Sequence, residues 1–320
     1  MAEIGRDIAK AKRILEQGGL VAIPTETVYG LAGNAFNEEA VSRIFEAKNR
    51  PSFDPLIVHT DSIDKIKKFT KEVPDKAAQL MENFWPGPLT VLLKKESIVP
   101  DLTTSGLLSV ACRLPRHPLT LELLKSLDFP LAAPSANPFG YVSPTSAQHV
   151  QQQLGDKLEY ILDGGEATVG IESTIVSFIE DQPKVLRLGG LSVEDIEDVI
   201  GPVNVNIHSS SQPAAPGMLK SHYAPQKTIV LLDDLNFHDI TDFTEFGALM
   251  FKAPLSELNG ENQILLSKKG DTREAAKNLF KGLRELDQRE NIHTIITEYV
   301  PNEGLGRAIN DRIKRATAKS

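Results

Sequence analysis

The 320-residue chain holds one cysteine, Cys112, and one tryptophan. A single cysteine excludes an intrachain disulfide and any cysteine-rich zinc site. The seven histidines are scattered and form no zinc-ligand spacing with the carboxylates. No apolar stretch approaches the ~20 residues needed to span a bilayer, so no membrane association is expected. The start, MAEIGRDIAKAKRI, is charged and amphipathic and has no apolar signal core, so no export is expected and a cytoplasmic protein is the simple reading. Positive charge is in deficit, with 35 Lys and Arg against 43 Asp and Glu for a net charge of −8. That disfavours a protein that coats nucleic acid, while leaving room for a local basic patch. There is no P-loop, no G-x-G-x-x-G after the first strand and no serine-hydrolase elbow. "GLGRAIND" at Gly304 is only a weak glycine signal for a helix start.

What is present is ordinary globular composition, 41% hydrophobic and 24% charged. The length suggests two domains. Residues 8–17 carry Ile8, Ala11, Ile14 and Leu15 at helical spacing, and Gly18-Gly19 can end that helix. Leu20–Ile23 reads as a short buried strand. Asn37 can cap a second helix that Arg50-Pro51 ends. "PLIVH", "LTVLLKK", "LLSVACRLP", "FPLAAPSAN", "YILDGG", "STIVSFI" and "KVLRLGG" read as further strands, with helical patterns near 62–70, 75–84, 145–153 and 193–200. Mixed short strands and helices predict a twisted mixed α/β sheet for residues 1–205. Residues 206–227, rich in Ser, Pro and Ala, read as a linker long enough to have a function of its own. Residues 228–320 alternate strand and helix and predict a small parallel, doubly wound domain of Rossmann type.

Polar clusters sit where strands end. "AIPTETVYG" puts Thr25, Glu26, Thr27 and Tyr29 directly after a buried strand. Lys48 and Arg50 lie two apart at a helix end, where they suit phosphate oxygens, although cations are favourable at helix C-termini anyway. His59 closes the next strand. "APSANPFGYVSPT" offers Ser135, Asn137, Ser143 and Thr145 as neutral partners for phosphates or sugar hydroxyls. Helix capping accounts for Ser143 or Thr145 just as well. "GIEST" holds Glu172, Ser173 and Thr174, and "LRLGG" holds Arg187. Ser109 and Arg113 share one side of a strand, and Cys112 points to the other as core. Ligands of open α/β sheets bind outside strand ends. The composite therefore predicts a pocket there for a small polar ligand plus phosphates.

The motifs "PTETVYGL", "KNRP", "PLIVH", "WPGPLT", "APSAN", "GIESTIV" and "PGMLKSHYAP" resemble the YrdC-like threonylcarbamoyl-AMP synthases, in the long form with a second C-terminal domain. The resemblance implies that L-threonine, bicarbonate or CO2, and ATP give threonylcarbamoyl-adenylate and pyrophosphate, and that partner proteins pass the activated group to the tRNA adenosine next to the anticodon. It implies Mg2+ entering with ATP, with no protein metal ligands identified. Lys48 and Arg50 look like the catalytic cations on the ATP phosphates. Thr27, His59, Arg113 and Ser173 look like the threonine-binding set, with Arg113 clamping the carboxylate bidentately. Arg50, Asp54, Ser109, Ala133, Ser135, Asn137, Ser143, Arg187 and Tyr223 look like the ATP-binding set, with Tyr223 in a linker that closes over the nucleotide. Asp54 either helps hold Mg2+ or contacts another part of ATP. Three other readings stand beside this one. They are an RNA-binding module using the basic tail "GRAINDRIKRATAKS", a carbamoyl transferase akin to hydrogenase-maturation proteins, and a nucleotide sensor without turnover. Weak direct RNA contact is compatible with the synthase reading too.

Overall fold

The computed structural model describes residues 1–207, 215, 216, 218, 223–236, 240 and 242–318. Most of the expected 206–227 linker therefore lies outside the described residues. Eleven strands form the large sheet: β1 (Glu3–Gly5), β2 (Val21–Ile23), β3 (Gly30–Asn34), β4 (Ile57–His59), β5 (Leu89–Lys94), β6 (Ser109–Arg113), β7 (Leu131–Ala132), β8 (Tyr160–Leu162), β9 (Thr174–Ser177), β10 (Lys184–Arg187) and β11 (Asn204–Val205). Their spatial order is β1-β8-β2-β3-β7-β4-β6-β5-β9-β10-β11, with parallel and antiparallel pairs mixed. This is the twisted mixed α/β sheet that the sequence predicts.

Register decides which residues share a face. Pairing puts His59 opposite Arg113, Arg113 opposite Thr90, Thr90 opposite Ile175, and Ile175 opposite Arg187. One step along β4, β6, β5 and β9, Val58, Cys112, Val91 and Val176 form the matching row, which Val185 joins because the β10 register shifts between Val185 and Arg187, and all five are fully buried in the main core. Side chains alternate along a strand, so one face is apolar core and the other is polar. Cys112 is core, as its position implies.

Helix Glu38–Lys48 starts at Asn37, whose side chain accepts from Ala40 N. It ends at Asn49, which takes a left-handed φ of 51°, while Arg50 N donates to Phe45 O at 2.9 Å. Asparagine tolerates that conformation, and the reversal throws Arg50 out of the helix. The helix expected near 145–153 runs Ala147–Leu154, and its cap is Ser146 rather than Ser143 or Thr145. Ser146 is the residue that meets the His149 backbone N–H at the third helical position.

The second sheet comprises β12 (Thr228–Leu231), β13 (Phe246–Met250), β14 (Gln263–Leu265) and β15 (Thr294–Thr297), all parallel, in the order β12-β15-β13-β14. It is the small parallel α/β domain expected. Its winding is one-sided among the described residues. Helices Thr272–Gln288 and Gly306–Thr317 pack with Leu249 and Ile295 on one face. The opposite face, with Ala248, Met250 and Ile296, is covered by Leu258, Leu232, Leu235, Phe243 and Leu255. A helix expected after β12 is a single turn, Leu232–Asp234, among the described residues. Two adjacent aspartates, Asp233 and Asp234, compete for local backbone hydrogen bonds and favour such turns. The two domains share one hydrophobic cluster, which runs from Val91 and Ile171 through Tyr223 to Leu279 and Ile309.

Candidate active site

A cavity is lined by Arg50, His59, Arg113, Arg187, Glu172, Tyr223 and the 133–135 turn. It lies over the polar face of the sheet, not outside the strand ends. The reason is register: His59, Arg113 and Arg187 belong to one cross-strand row on that face. Ile57, Ala111 and Leu92 continue the face below them, where Ala215 and Met218 pack upon them.

Each arginine is held by specific acceptors. Arg113 donates from Nη2 to Glu26 Oε1 and Thr27 Oγ1, both at 2.8 Å, and from Nε to Gly87 O at 3.3 Å. Its Nη1 makes no hydrogen bond among the described residues. Glu26 also accepts from the Arg116 backbone N–H at 2.8 Å. Thr27 is fully buried, and its hydroxyl bonds Thr25 Oγ1 at 2.8 Å. The polar lip after β2 is thus the support of Arg113. A bidentate clamp by Arg113 conflicts with this arrangement, because both Nη2 hydrogens are occupied. The open donor is Nη1.

Arg187 donates from Nε and Nη2 to the carbonyl and hydroxyl of Ser173, both at 3.0 Å, and from Nη1 to Pro216 O at 3.3 Å. Ser173 also bonds Thr90 Oγ1 at 2.7 Å. Burial brings the Arg187 guanidinium down to about 10. Arg50 donates to the carbonyls of Asp54 and Pro55 at 3.0 and 2.9 Å, and its Nη2 lies 2.9 Å from the Asp54 carboxylate. Asp54 is buried, which raises its pKa against the pull of Arg50 and Lys48.

His59 Nδ1 lies 3.2 Å from Ile57 O. A carbonyl only accepts, so Nδ1 carries the proton and Nε2 is left as an acceptor. Burial first, and Arg113 second, push its pKa down to about 3, so the ring is neutral.

Several expected ligand contacts have a different place. Lys48 is buried and donates to the carbonyls of Ser135, at 2.5 Å, and Asn137. Its ammonium holds the Ser-Ala-Asn turn from beneath and does not line the cavity. Ser135 and Ala133 do line it. Asn137 points its amide at the carbonyls of Pro138 and Tyr141, at 2.9 and 2.8 Å. Ser143 donates to Glu172 Oε1 at 2.5 Å. Ser109 stands at the far end of β6 and lines a separate cavity with Ile179. Thr27, Ser173, Ser143, Asn137, Asp54 and Lys48 therefore form the layer behind the cavity wall. Short polar side chains read alike in sequence whether they face a ligand or an arginine.

One cavity-lining side chain, Glu172, was missing from the expected set, whereas Tyr223 belongs to it and lines the cavity. Glu172 is the sole carboxylate lining the cavity among the described residues. Its Oε2 accepts from Arg312 Nε and Nη2 at 3.2 and 3.1 Å. Tyr223 is buried at a φ of 67°, stacked on Phe280 with ring centroids 5.5 Å apart, and Arg312 lies 5.0 Å over its ring. Arg312 belongs to the basic tail read as an RNA candidate. Of that tail, Arg312 and Arg315 are buried on Asp311, and Arg307 pairs with Glu194 at 2.9 Å. Lys319 lies outside the described residues, so Lys314 is the one tail cation with no hydrogen-bond or ion-pair partner among those described.

Residues 13–189 match a protein family described as "Telomere recombination", whose profile groups the Sua5, YciO and YrdC proteins. Residues 191–318 match "Threonylcarbamoyl-AMP synthase, C-terminal domain". Sheet, cavity and both matches define a two-domain α/β enzyme of the Sua5/YrdC class. The threonylcarbamoyl-AMP synthase of Pyrococcus abyssi is 41% identical, over 96% of this chain and 93% of that protein. That of Bacillus subtilis is 39% identical, over 97% and 92%. The chain belongs to the threonylcarbamoyl-AMP synthase family. Its fold matches the crystal structure of P. abyssi Sua5 complexed with L-threonine at a TM-score of 0.91 and 38% identity, covering 99% of this chain and 97% of that one. No helix among the described residues is long and apolar enough to cross a membrane.

Proposed function

We propose that this chain makes threonylcarbamoyl-AMP and pyrophosphate from L-threonine, bicarbonate or CO2, and ATP. The observation that carries this reading is the row His59–Arg113–Arg187, a neutral acceptor at one end of a row with two fixed cations, in a chain similar over almost its whole length to named synthases. We take the product to serve tRNA modification next to the anticodon, in the cytoplasm, through partner proteins that complete the transfer.

In this reading the Arg113 Nη1 holds the threonine carboxylate, and His59 Nε2 accepts from the threonine amine and orients it. The amine, in its neutral form, attacks the carbon of CO2. A C–N bond forms and the nitrogen loses a proton to solvent. A carbamate oxygen then attacks the α-phosphorus, the bond to the bridging oxygen breaks, and pyrophosphate leaves. Arg50 and Arg187 stabilise the charge that gathers on the phosphates, and the turn held by Lys48 seats the nucleotide. Positioning and electrostatics supply the rate. Of the connector, Pro216 bonds Arg187 through its carbonyl, Met218 packs on the sheet face and Tyr223 lines the cavity, so these residues would cover a bound nucleotide.

No three His, Cys, Asp or Glu side chains converge to hold a metal among the described residues. Asp54 Oδ1 is buried without a hydrogen-bond partner there, and Oδ2 faces Arg50. One acceptor suits an ion that keeps most of its oxygen ligands from phosphate and water. We therefore assign Mg2+ to the bound ATP, where it would neutralise phosphate charge, with Asp54 Oδ1, an unpaired acceptor behind the wall beside Arg50, as its candidate protein ligand.

The test is pyrophosphate release by the purified chain with ATP, Mg2+ and bicarbonate, with and without L-threonine. Release that requires threonine and bicarbonate is expected. ATP binding without such release would move the reading to a nucleotide sensor.

A further inference from the structure

We infer that Arg312, from the C-terminal domain, is a positioning residue of the catalytic cavity, and that it acts by cancelling the charge of Glu172. The inference rests on ATP being the ligand, as proposed above. Glu172 is the one cavity-lining carboxylate among the described residues, on a wall otherwise carrying Arg50, Arg113 and Arg187. An uncancelled carboxylate there would repel a triphosphate. Arg187 of its own domain acts on it through space, but the cation bonded to it comes from the other domain. Ser143 supplies one hydroxyl donor at 2.5 Å, while the guanidinium of Arg312 supplies two bonds at 3.2 and 3.1 Å from 140 residues away. Both partners are almost fully buried, so solvent screens the pair little.

Arg312 is itself fixed. Its Nη1 is bonded to Asp311 Oδ2 at 2.9 Å, and Asp311 in turn binds Arg315 at 2.9 Å. Arg315 donates to Ile207 O at 2.9 Å, next to the point where the chain leaves the first domain. The same guanidinium lies over the Tyr223 ring, which also stacks with Phe280 of the neighbouring C-terminal helix. One arginine therefore sets both the charge of one cavity wall and the packing of another. The second domain is a working part of the site, and the first domain alone leaves Glu172 without its bonded cation among the three wall arginines.

The experiment measures binding of a non-hydrolysable ATP analogue by the full chain and its variants, with thermal melts to confirm folding. Arg312→Gln is expected to weaken analogue binding by about tenfold or more, because it leaves a buried carboxylate uncompensated. Glu172→Gln alone is expected to bind at least as tightly as the native chain. The double variant Glu172→Gln/Arg312→Gln is expected to return to within about threefold of native affinity. A double variant as weak as Arg312→Gln would overturn the inference, since Arg312 would then act through packing alone. Unchanged binding by Arg312→Gln would overturn it as well. Failure of the native chain to bind the analogue would remove the ATP reading and this inference together, whereas the two preceding outcomes remove the inference only.

Discussion

Arg113 in the first domain and Arg312 in the second are both buried, both bonded to a glutamate and both within reach of one cavity. They differ in what is left over. Arg113 uses Nε and Nη2 and keeps Nη1 without a hydrogen bond among the described residues. Arg312 gives all three nitrogens to carboxylates. The first can still recognise an anion; the second can only shape the groups that do. An arginine's function here follows from its remaining donors, not from its burial or its distance to the cavity. Glu26 and Glu172 show the same division: one holds a cation in place, and the other must itself be neutralised.

The largest effect belongs to the front wall. Arg50→Ala is expected to lower threonine-dependent pyrophosphate release by roughly 10²–10³, the usual cost of removing one key electrostatic group. Arg113→Ala should match it and also raise the KM for threonine. Steady-state kinetics of the two variants decides the matter. Near-native turnover in Arg50→Ala would take that residue out of the chemistry and end the contrast between the two walls.

The domain junction away from the cavity should answer in stability rather than rate. Arg284, on the long C-terminal helix, donates to the carbonyls of Val142 and Ser143 and to Gln153, and lies 5.1 Å over the Tyr141 ring. Arg284→Met leaves buried acceptors unmet, at about 1–3 kcal/mol. Urea unfolding should report that loss, while turnover per folded molecule changes less than about threefold. A loss of turnover on the Arg50 scale would show that the domain junction feeds the chemistry by a second route.

Much of the fold was legible because its signals are local. Asn37 before an apolar-periodic stretch gives a helix, and PLIVH or STIVSFI gives a strand wherever the chain runs. The cavity residues were legible one at a time for the same reason. Their order behind or in front of the wall was not. Thr27 and Ser173 differ from Ser135 only in what stands across the sheet from them, and that depends on pairing between β4, β6, β5 and β9. Arg312 was out of reach altogether, because its meaning comes from Glu172, 140 residues away. Its neighbourhood in sequence shows only a basic helix.

A smaller effect tests the support of Arg113. Thr27→Val removes the hydroxyl that accepts from Nη2 at 2.8 Å. One neutral-to-charged hydrogen bond of this kind is worth about 1.5–3 kcal/mol, part of which Thr25 and Glu26 can compensate. The expected result is a KM for threonine raised up to about tenfold with kcat changed much less. Equal falls in kcat and kcat/KM would mean that Thr27 acts on the reacting groups directly.

The smallest effect is a null one at neutral pH, and it concerns the residue paired with Arg113 across the sheet. His59 is held near pKa 3 by burial and then by Arg113, against an ordinary value near 6.5. A histidine whose folded pKa is depressed binds fewer protons folded than unfolded between those two values. Stability therefore rises with pH from about 3 to 6.5 on its account and is independent of it above that range. The neutral ring also means that His59 adds no acid limb near pH 6.5 to the turnover profile. His59→Gln keeps a hydrogen-bonding side chain but cannot be protonated. Its stability difference from the native chain should shrink as pH falls from 6.5 towards 3, because the native chain alone loses that contribution. His149 and His117 are also lowered, by burial first, so the comparison must be taken as native minus variant at each pH. A difference that stays constant from pH 7 to pH 4 would mean that His59 titrates normally. The turnover profile should then show an acid limb near pH 6.5, as the Nε2 acceptor is lost on protonation.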